Sequence, residues 1–253
     1  MRNPYDFTGK KFIVTGASSG IGRSTAVRLS EQGAQIVLIS RNQEKLEETR
    51  SMMQEGFHQI IPVDLGRTED LSEVFDEIIS DGVKLDGFVH CAGIATILPL
   101  ERIRRKNLEE CMNINLYALL ELARLYAKKK YRNTGGEGSI VAVSSIVARY
   151  PAKCQTVYAA SKGAVNAVVQ TLAIELAKKG IRINSIMPAS TDTAMMRQAL
   201  ENMPNTVMQE KMKDQLLGVM HPDDIADAIL FLLSDASRAT TGRAFYADGG
   251  LLG

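Results

Sequence analysis

The chain has 253 residues, 45% hydrophobic and 23% charged. That is enough apolar material for a sizeable core in one large domain, while charges interrupt every apolar run well before the roughly 18 residues a membrane span needs. Thirty basic against 29 acidic side chains leave a net charge of +1, which gives no electrostatic footprint for nucleic acid or an anionic membrane. Cys91, Cys111 and Cys154 are odd in number and lack CxxC spacing, and His58, His90 and His221 lie far apart. These patterns argue against a disulfide framework or a metal site. The N-terminal MRNPYDFTGKK has no apolar leader segment, so the chain reads as soluble and cytoplasmic.

Along the chain, β-branched runs alternate with amphipathic stretches. KFIVTG is the first predicted strand and runs into the turn TGASSGIG and a helix beginning GRSTAVRL. QIVLIS follows, then a helical QEKLEETRSMMQEG reaching Gly56, the strand HQIIPVD, and the helix EDLSEVFDEIISDG. DGFVHCAG, GSIVAVSS, RINSIMP and RAFYADG supply four more strands, separated by helical patterns at LYALLELA, GAVNAVVQTLAIELA and His221 to Ser234. In the last of these, Pro222 followed by Asp223 and Asp224 is a helix-start signal. Near-continuous apolar strands in strict alternation with helices predict right-handed βαβ units. The fold expected is α/β, a doubly wound seven-stranded parallel sheet with helices on both faces, as a single domain over residues 1–253. No linker, repeat or low-complexity tract divides it.

The turn after the first strand sets Gly16, Ser18, Ser19, Gly20, Ile21 and Gly22 at the start of a helix. Glycine lets a phosphate approach the backbone, and the helix start offers unpaired N–H groups. The alternative is an ordinary glycine-rich βα turn, and position after the first strand favours dinucleotide binding. At the end of the second strand, where a carboxylate would favour NAD(H), stand Ser40 and Arg41, a hydroxyl and a permanent cation suited to a 2′-phosphate. NADP(H) is therefore expected over NAD(H). Asp64 and Leu65, after the third strand, are placed to meet the adenine, although Asp64 also suits a turn cap.

TGASSGIG, Ser145 and the YAASK run from Tyr158 to Lys162 together resemble the short-chain dehydrogenase/reductase family, over nearly the whole chain and including the terminal Asp248 to Gly250. The resemblance implies a Rossmann fold and an NAD(P)-dependent oxidoreductase acting on CH–OH groups. It implies a catalytic set of Ser145, Tyr158, Lys162 and Asn115, the family's thirteen-residue spacing to Tyr158 selecting Ser145 over Ser144 and the following LYALLELA favouring Asn115 over Asn113. It also carries over Cys91, Ala92, Gly93, Tyr158, Lys162, Pro188, Thr191 and Thr193 as cofactor contacts. The chain departs from the family where Cys91 replaces an asparagine before Ala92-Gly93, which puts in doubt a hydrogen bond tying the sheet to the cofactor loop. Ala189 stands where glycine usually follows Pro188, a change expected to stiffen the nicotinamide edge.

Residues four apart on a helix are neighbours, so the Lys162 ammonium and Tyr158 phenol face one ligand. A nearby cation favours the phenolate, so Lys162 and the positive ring of a bound cofactor are together expected to lower the Tyr158 pKa. Tyr158 would then exchange a proton with a carbonyl or alcohol oxygen held by Ser145, with Asn115 supporting a resupplying water chain. Seven of the eleven methionines fall between Met187 and Met220. They suggest a substrate lid at about residues 189–218 that moulds to an apolar ligand, or simply the packing of short helices. An apolar ketone or 3-oxoacyl thioester fits best. A hydroxysteroid or other small alcohol, or a non-catalytic NADP(H)-sensing regulator, remains the alternative. The basic runs at Arg102 to Lys106 and Lys128 to Lys130 are solvated helix faces or a patch for an acyl-carrier protein. A homodimer or homotetramer is implied by the resemblance.

Overall fold

All seven apolar runs form strands: β1 (Lys11–Thr15), β2 (Gln35–Ser40), β3 (Gln59–Pro62), β4 (Gly87–His90), β5 (Gly138–Val143), β6 (Ile181–Pro188) and β7 (Ala244–Ala247). The structure is a computed structural model that describes residues 3–67, 69, 71–202 and 212–251. The strands pair in the order β3-β2-β1-β4-β5-β6-β7, every neighbour parallel. Alternation along the strands divides the core between the two faces. Ile13, Val37 and Ile39 point into one cluster, and Phe12, Val14, Ile36 and Leu38 into the other.

The first face is covered by α3 (Leu71–Ile78), α4 (Arg105–Met112), α5 (Ala118–Tyr126) and α6 (Thr156–Ala177). The second is covered by α1 (Gly20–Glu31), α2 (Gln43–Ser51) and α8 (Pro222–Leu233), while α7 (Ala194–Asn202) follows β6. His221 caps α8, as the Pro-Asp-Asp start predicts. The helix expected through Gly56 stops at Ser51, because Met53 turns to pack on the core and the Gln54 N–H donates to Ser30 Oγ at 3.1 Å. Met203 and Met208 lie outside the described residues. Among those described, no helix is long and apolar enough to cross a membrane.

Strand β1 has β2 on one side and β4 on the other, so successive connections leave it in opposite directions. The crevice this opens beyond the carboxyl ends of the strands is where open α/β sheets bind ligands.

Candidate active site

A cleft of about 510 Å³ occupies that crevice, and every residue expected to hold the cofactor lines it, together with Ser145, Tyr158 and Lys162. Its floor is the β1–α1 turn. Gly16 has φ +65, and a Cβ there would stand 2.8 Å from the Ala92 nitrogen; a Cβ at Gly22 would stand 2.3 Å from the Gly16 oxygen. Only hydrogen fits at either position. Ser19 is the N-cap of α1 but makes no side-chain cap bond, so the helix start keeps its N–H groups for an anion. Side chains that the motif did not single out pin the loop from behind. Arg23 donates to the Ser18 carbonyl at 2.7 Å and pairs with Glu48, and Thr49 Oγ1 donates to the Ala17 carbonyl at 2.8 Å.

At the β2 end, Ser40, Arg41, Asn42 and Lys45 line the cleft. Neither the Arg41 guanidinium nor the Lys45 ammonium has an ion pair among the described residues, in contrast to Arg23. Asp64 lines the same end and also accepts from the Gly66 N–H at 3.0 Å, so the turn cap and the cleft position coexist.

Tyr158 sits in the first turn of α6, and Lys162 follows one turn later. The Lys162 ammonium lies 5.8 Å from the centre of the Tyr158 ring and donates to the Val143 carbonyl at 2.7 Å. Burial pulls Lys162 down to about 8 and pushes the Tyr158 phenol up to about 12, against the opposing hydrogen bond to Ser145. The expected lowering of Tyr158 by Lys162 is therefore not produced by the protein's own groups: loss of water outweighs the Ser145 hydrogen bond, and Lys162 is not among the groups that shift the phenol. Ser145, at the end of β5, accepts from the Val147 N–H at 3.3 Å, while Ser144 Oγ is turned away to the Lys162 carbonyl at 3.0 Å. That difference separates the two serines.

Asn115 is fully buried in a π-helical turn, Asn113–Tyr117, between α4 and α5, and is not on the cleft wall. Its amide accepts from the Ile94 N–H at 2.9 Å and donates to the Ile94 carbonyl at 3.1 Å and to Ser161 Oγ at 2.9 Å. A π turn widens the helix by one residue, often at functional sites. Here it turns the amide toward the loop after β4 and the helix carrying Lys162.

The two departures have local answers. Ala189 takes ordinary backbone geometry, since Cys154 is the one described non-glycine residue with positive φ, at 66. Cys91 is pushed up to about 12 by burial, with the Thr25 side chain opposing, so its thiol keeps its proton at neutral pH. The tie between sheet and loop is made instead by Thr15, whose Oγ1 accepts from the Ala92 N–H at 3.1 Å. His58 and His221 are structural, accepting the N–H of Ile36 and Asp223. All three cysteines are free, and no metal-binding cluster occurs among the described residues.

A seven-stranded parallel sheet with a glycine-lined dinucleotide turn and a Ser-Tyr-Lys cluster in one crevice defines the class of nicotinamide-dependent oxidoreductases. A family model described as enoyl-(acyl carrier protein) reductase matches residues 16–252. The chain is 35% identical over 252 residues to L-xylulose reductase of Caenorhabditis elegans, covering 97% of both. It is 32% identical over 249 residues to the 3-oxoacyl-(acyl-carrier-protein) reductase of Thermotoga maritima, covering 96% of this chain and 98% of that one. A glucose/ribitol dehydrogenase of the short-chain type from Brucella melitensis superposes with a TM-score of 0.89 at 27% identity, covering 98% of both chains. The chain belongs to the short-chain dehydrogenase/reductase family, and it is an NAD(P)-dependent oxidoreductase.

Proposed function

We propose that the protein is an NADP(H)-dependent carbonyl reductase and alcohol dehydrogenase whose substrate is an apolar ketone or 3-oxoacyl thioester. The observation that carries this reading is one cleft with Ser145, Tyr158 and Lys162 at one end and, at the other, Arg41 and Lys45, which have no ion pair among the described residues. The residues present fit the cofactor: Gly16 and Gly22 leave a cradle that a Cβ would fill, and the uncapped start of α1 suits its pyrophosphate. Arg41 and Lys45 would meet a 2′-phosphate, which supports NADP(H). When bound, the nicotinamide supplies or accepts hydride.

The chain's own groups manage the oxygen and the proton. With its pKa pushed up to about 12, Tyr158 holds its proton through neutral pH and is set to donate it as charge develops on a carbonyl oxygen. Ser145 donates a hydrogen bond to the same oxygen. Lys162, charged below about 8, holds the ribose side of the site. The Asn115 amide is engaged by Ile94 and Ser161, so its part is to hold the loop after β4 against α6.

Ile94, Ile97, Val147, Met195, Met196 and Leu251 make the far wall apolar, which favours a lipophilic carbonyl over a free sugar. The names of the relatives span both, xylulose and 3-oxoacyl reduction. Arg105 and Lys106 pair with Glu109 and Glu110 on their own helix, and Lys130 pairs with Asp76. These runs favour solvated faces over a carrier-protein patch, and a free ketone or thioester is the form proposed. Exposed Leu108, Tyr117 and Ile174 support a homodimer or homotetramer through α4, the π turn and α6. Both cores share the one sheet, in keeping with a single domain.

The test is fluorescence titration with NADPH and NADH, then nicotinamide absorbance against a panel of ketones and 3-oxoacyl thioesters. Turnover should fall about 10²–10⁴-fold in Tyr158→Phe with NADPH binding unchanged. Cofactor binding without turnover of any carbonyl would leave a sensor in place of the enzyme.

A further inference from the structure

His90 ends β4 with its side chain 1% exposed, between two parts of the site that the sheet does not join. Its Nε2 lies 3.0 Å from the Ile114 carbonyl oxygen, in the π turn, and the Asn115 backbone also acts on the ring. A carbonyl only accepts, so Nε2 carries the hydrogen. In a neutral imidazole Nδ1 is then the acceptor, and its partner 3.1 Å away is Thr15 Oγ1, which must donate. That same oxygen accepts the Ala92 N–H at 3.1 Å. The hydrogen bonds therefore run with one polarity from the loop after β4, through the end of β1 and His90, to the π turn. The other tautomer would set two lone pairs face to face at Ile114. Beyond the π turn the chain continues through Asn115 to Ser161, whose hydroxyl donates to the Tyr158 carbonyl at 2.8 Å.

We propose that His90 is a positioning residue which, as its Nε2–H tautomer, fixes the π turn to the dinucleotide turn and so sets the placement of Asn115, Tyr158 and Lys162. The inference rests on the reading of Tyr158 and Lys162 as catalytic. Burial, with the nearby Lys162 charge, keeps the ring neutral at physiological pH, as the strut requires. Its effect on rate follows from geometry, since a 1 Å misplacement of a reacting group can cost about 10²-fold.

Two measurements test it. Two-bond proton–nitrogen correlation spectra of the wild-type protein at pH 7 read the tautomer directly, and with three histidines in the chain the His90→Gln spectrum assigns the signal. A hydrogen on Nε2 is expected; one on Nδ1, or an average of the two, overturns the proposal. In kinetics, His90→Phe should lower kcat about tenfold with less change in the KM for NADPH, and His90→Gln, which keeps a donor toward Ile114, should recover most of the loss. A kcat in His90→Phe equal to wild type, or a Gln variant no better than Phe, overturns it. Should Phe prevent folding, the tautomer and the Gln variant decide. Full turnover in Tyr158→Phe would instead remove the catalytic reading while the spectrum stayed as expected, so the two failures are distinguishable.

Discussion

The two ends of the cleft are built by different means. At the dinucleotide turn, backbone contacts set the shape: Gly16 and Gly22 have no room for a Cβ, and Arg23 and Thr49 hold the loop's carbonyls. At the far end, after β6, side chains form the wall, with Met195, Met196 and Ala199 on α7 and Leu251 from the C-terminal segment. Its base is clipped by Gln215, whose amide accepts the Ser190 N–H at 3.1 Å and donates to the Ser190 carbonyl at 3.2 Å. A site fixed by backbone sterics takes one ligand shape, whereas a wall of flexible thioethers accommodates several. The contrast explains why a cofactor class follows from a few glycines while the substrate does not follow from any motif.

The sharpest way to break this contrast is Gly22→Ala. The added methyl has the Gly16 oxygen 2.3 Å away, so the turn must shift. We expect the Tm to fall by about 5 °C, from an overpacking cost of about 1–3 kcal/mol, and NADPH titration to weaken with it. Unchanged binding would mean that the turn is not fixed by its backbone. Next in size is the pair Arg41→Ala with Lys45→Ala. Losing charge-assisted contacts should raise the NADPH Kd by about 10- to 100-fold and leave NADH unaffected. Equal losses for both cofactors would remove the preference proposed for the β2 end.

Acid titration probes the buried histidine behind the cleft. His90 is drawn down by burial, and further by Lys162, from its ordinary 6.5 to about 3. Between those values the unfolded chain binds a proton that the folded one does not, so this part of the stability is complete above pH 6.5 and is lost as pH falls toward 3. The slope approaches about 1.4 kcal/mol per pH unit. Urea unfolding at pH 7 and pH 4.5 should show that loss in wild type, reduced in His90→Gln. The smallest effect belongs to the methionine wall. Met195→Leu and Met196→Leu conserve volume, so stability should change by less than about 1.5 kcal/mol. KM for small ketones should move little and KM for bulky ones more, and a uniform change across the panel would contradict an adaptable wall.

The alternation of apolar runs determined the seven strands, their parallel pairing and the two-sided core, because periodicity and β-branched composition act within a few residues. TGASSGIG determined a tight glycine turn into α1 for a similarly local reason, the absence of a Cβ where chain meets chain. Tyr158 and Lys162 share a helix face by spacing alone, and their position on α6 followed directly. What the sequence could not contain was the environment of these groups. Burial pushes Tyr158 up where a neighbouring ammonium suggested a lowered pKa, and desolvation depends on every element packed around the phenol. His90 stood far from the other histidines with no visible role, because its partners, Thr15 and Ile114, are distant in sequence. The π turn at Asn115 and the pinning of the loop by Arg23 and Thr49 are likewise products of contacts between distant segments. Local sterics and periodicity are written in adjacent residues, whereas burial and long-range hydrogen bonding exist only once the sheet has brought those residues together.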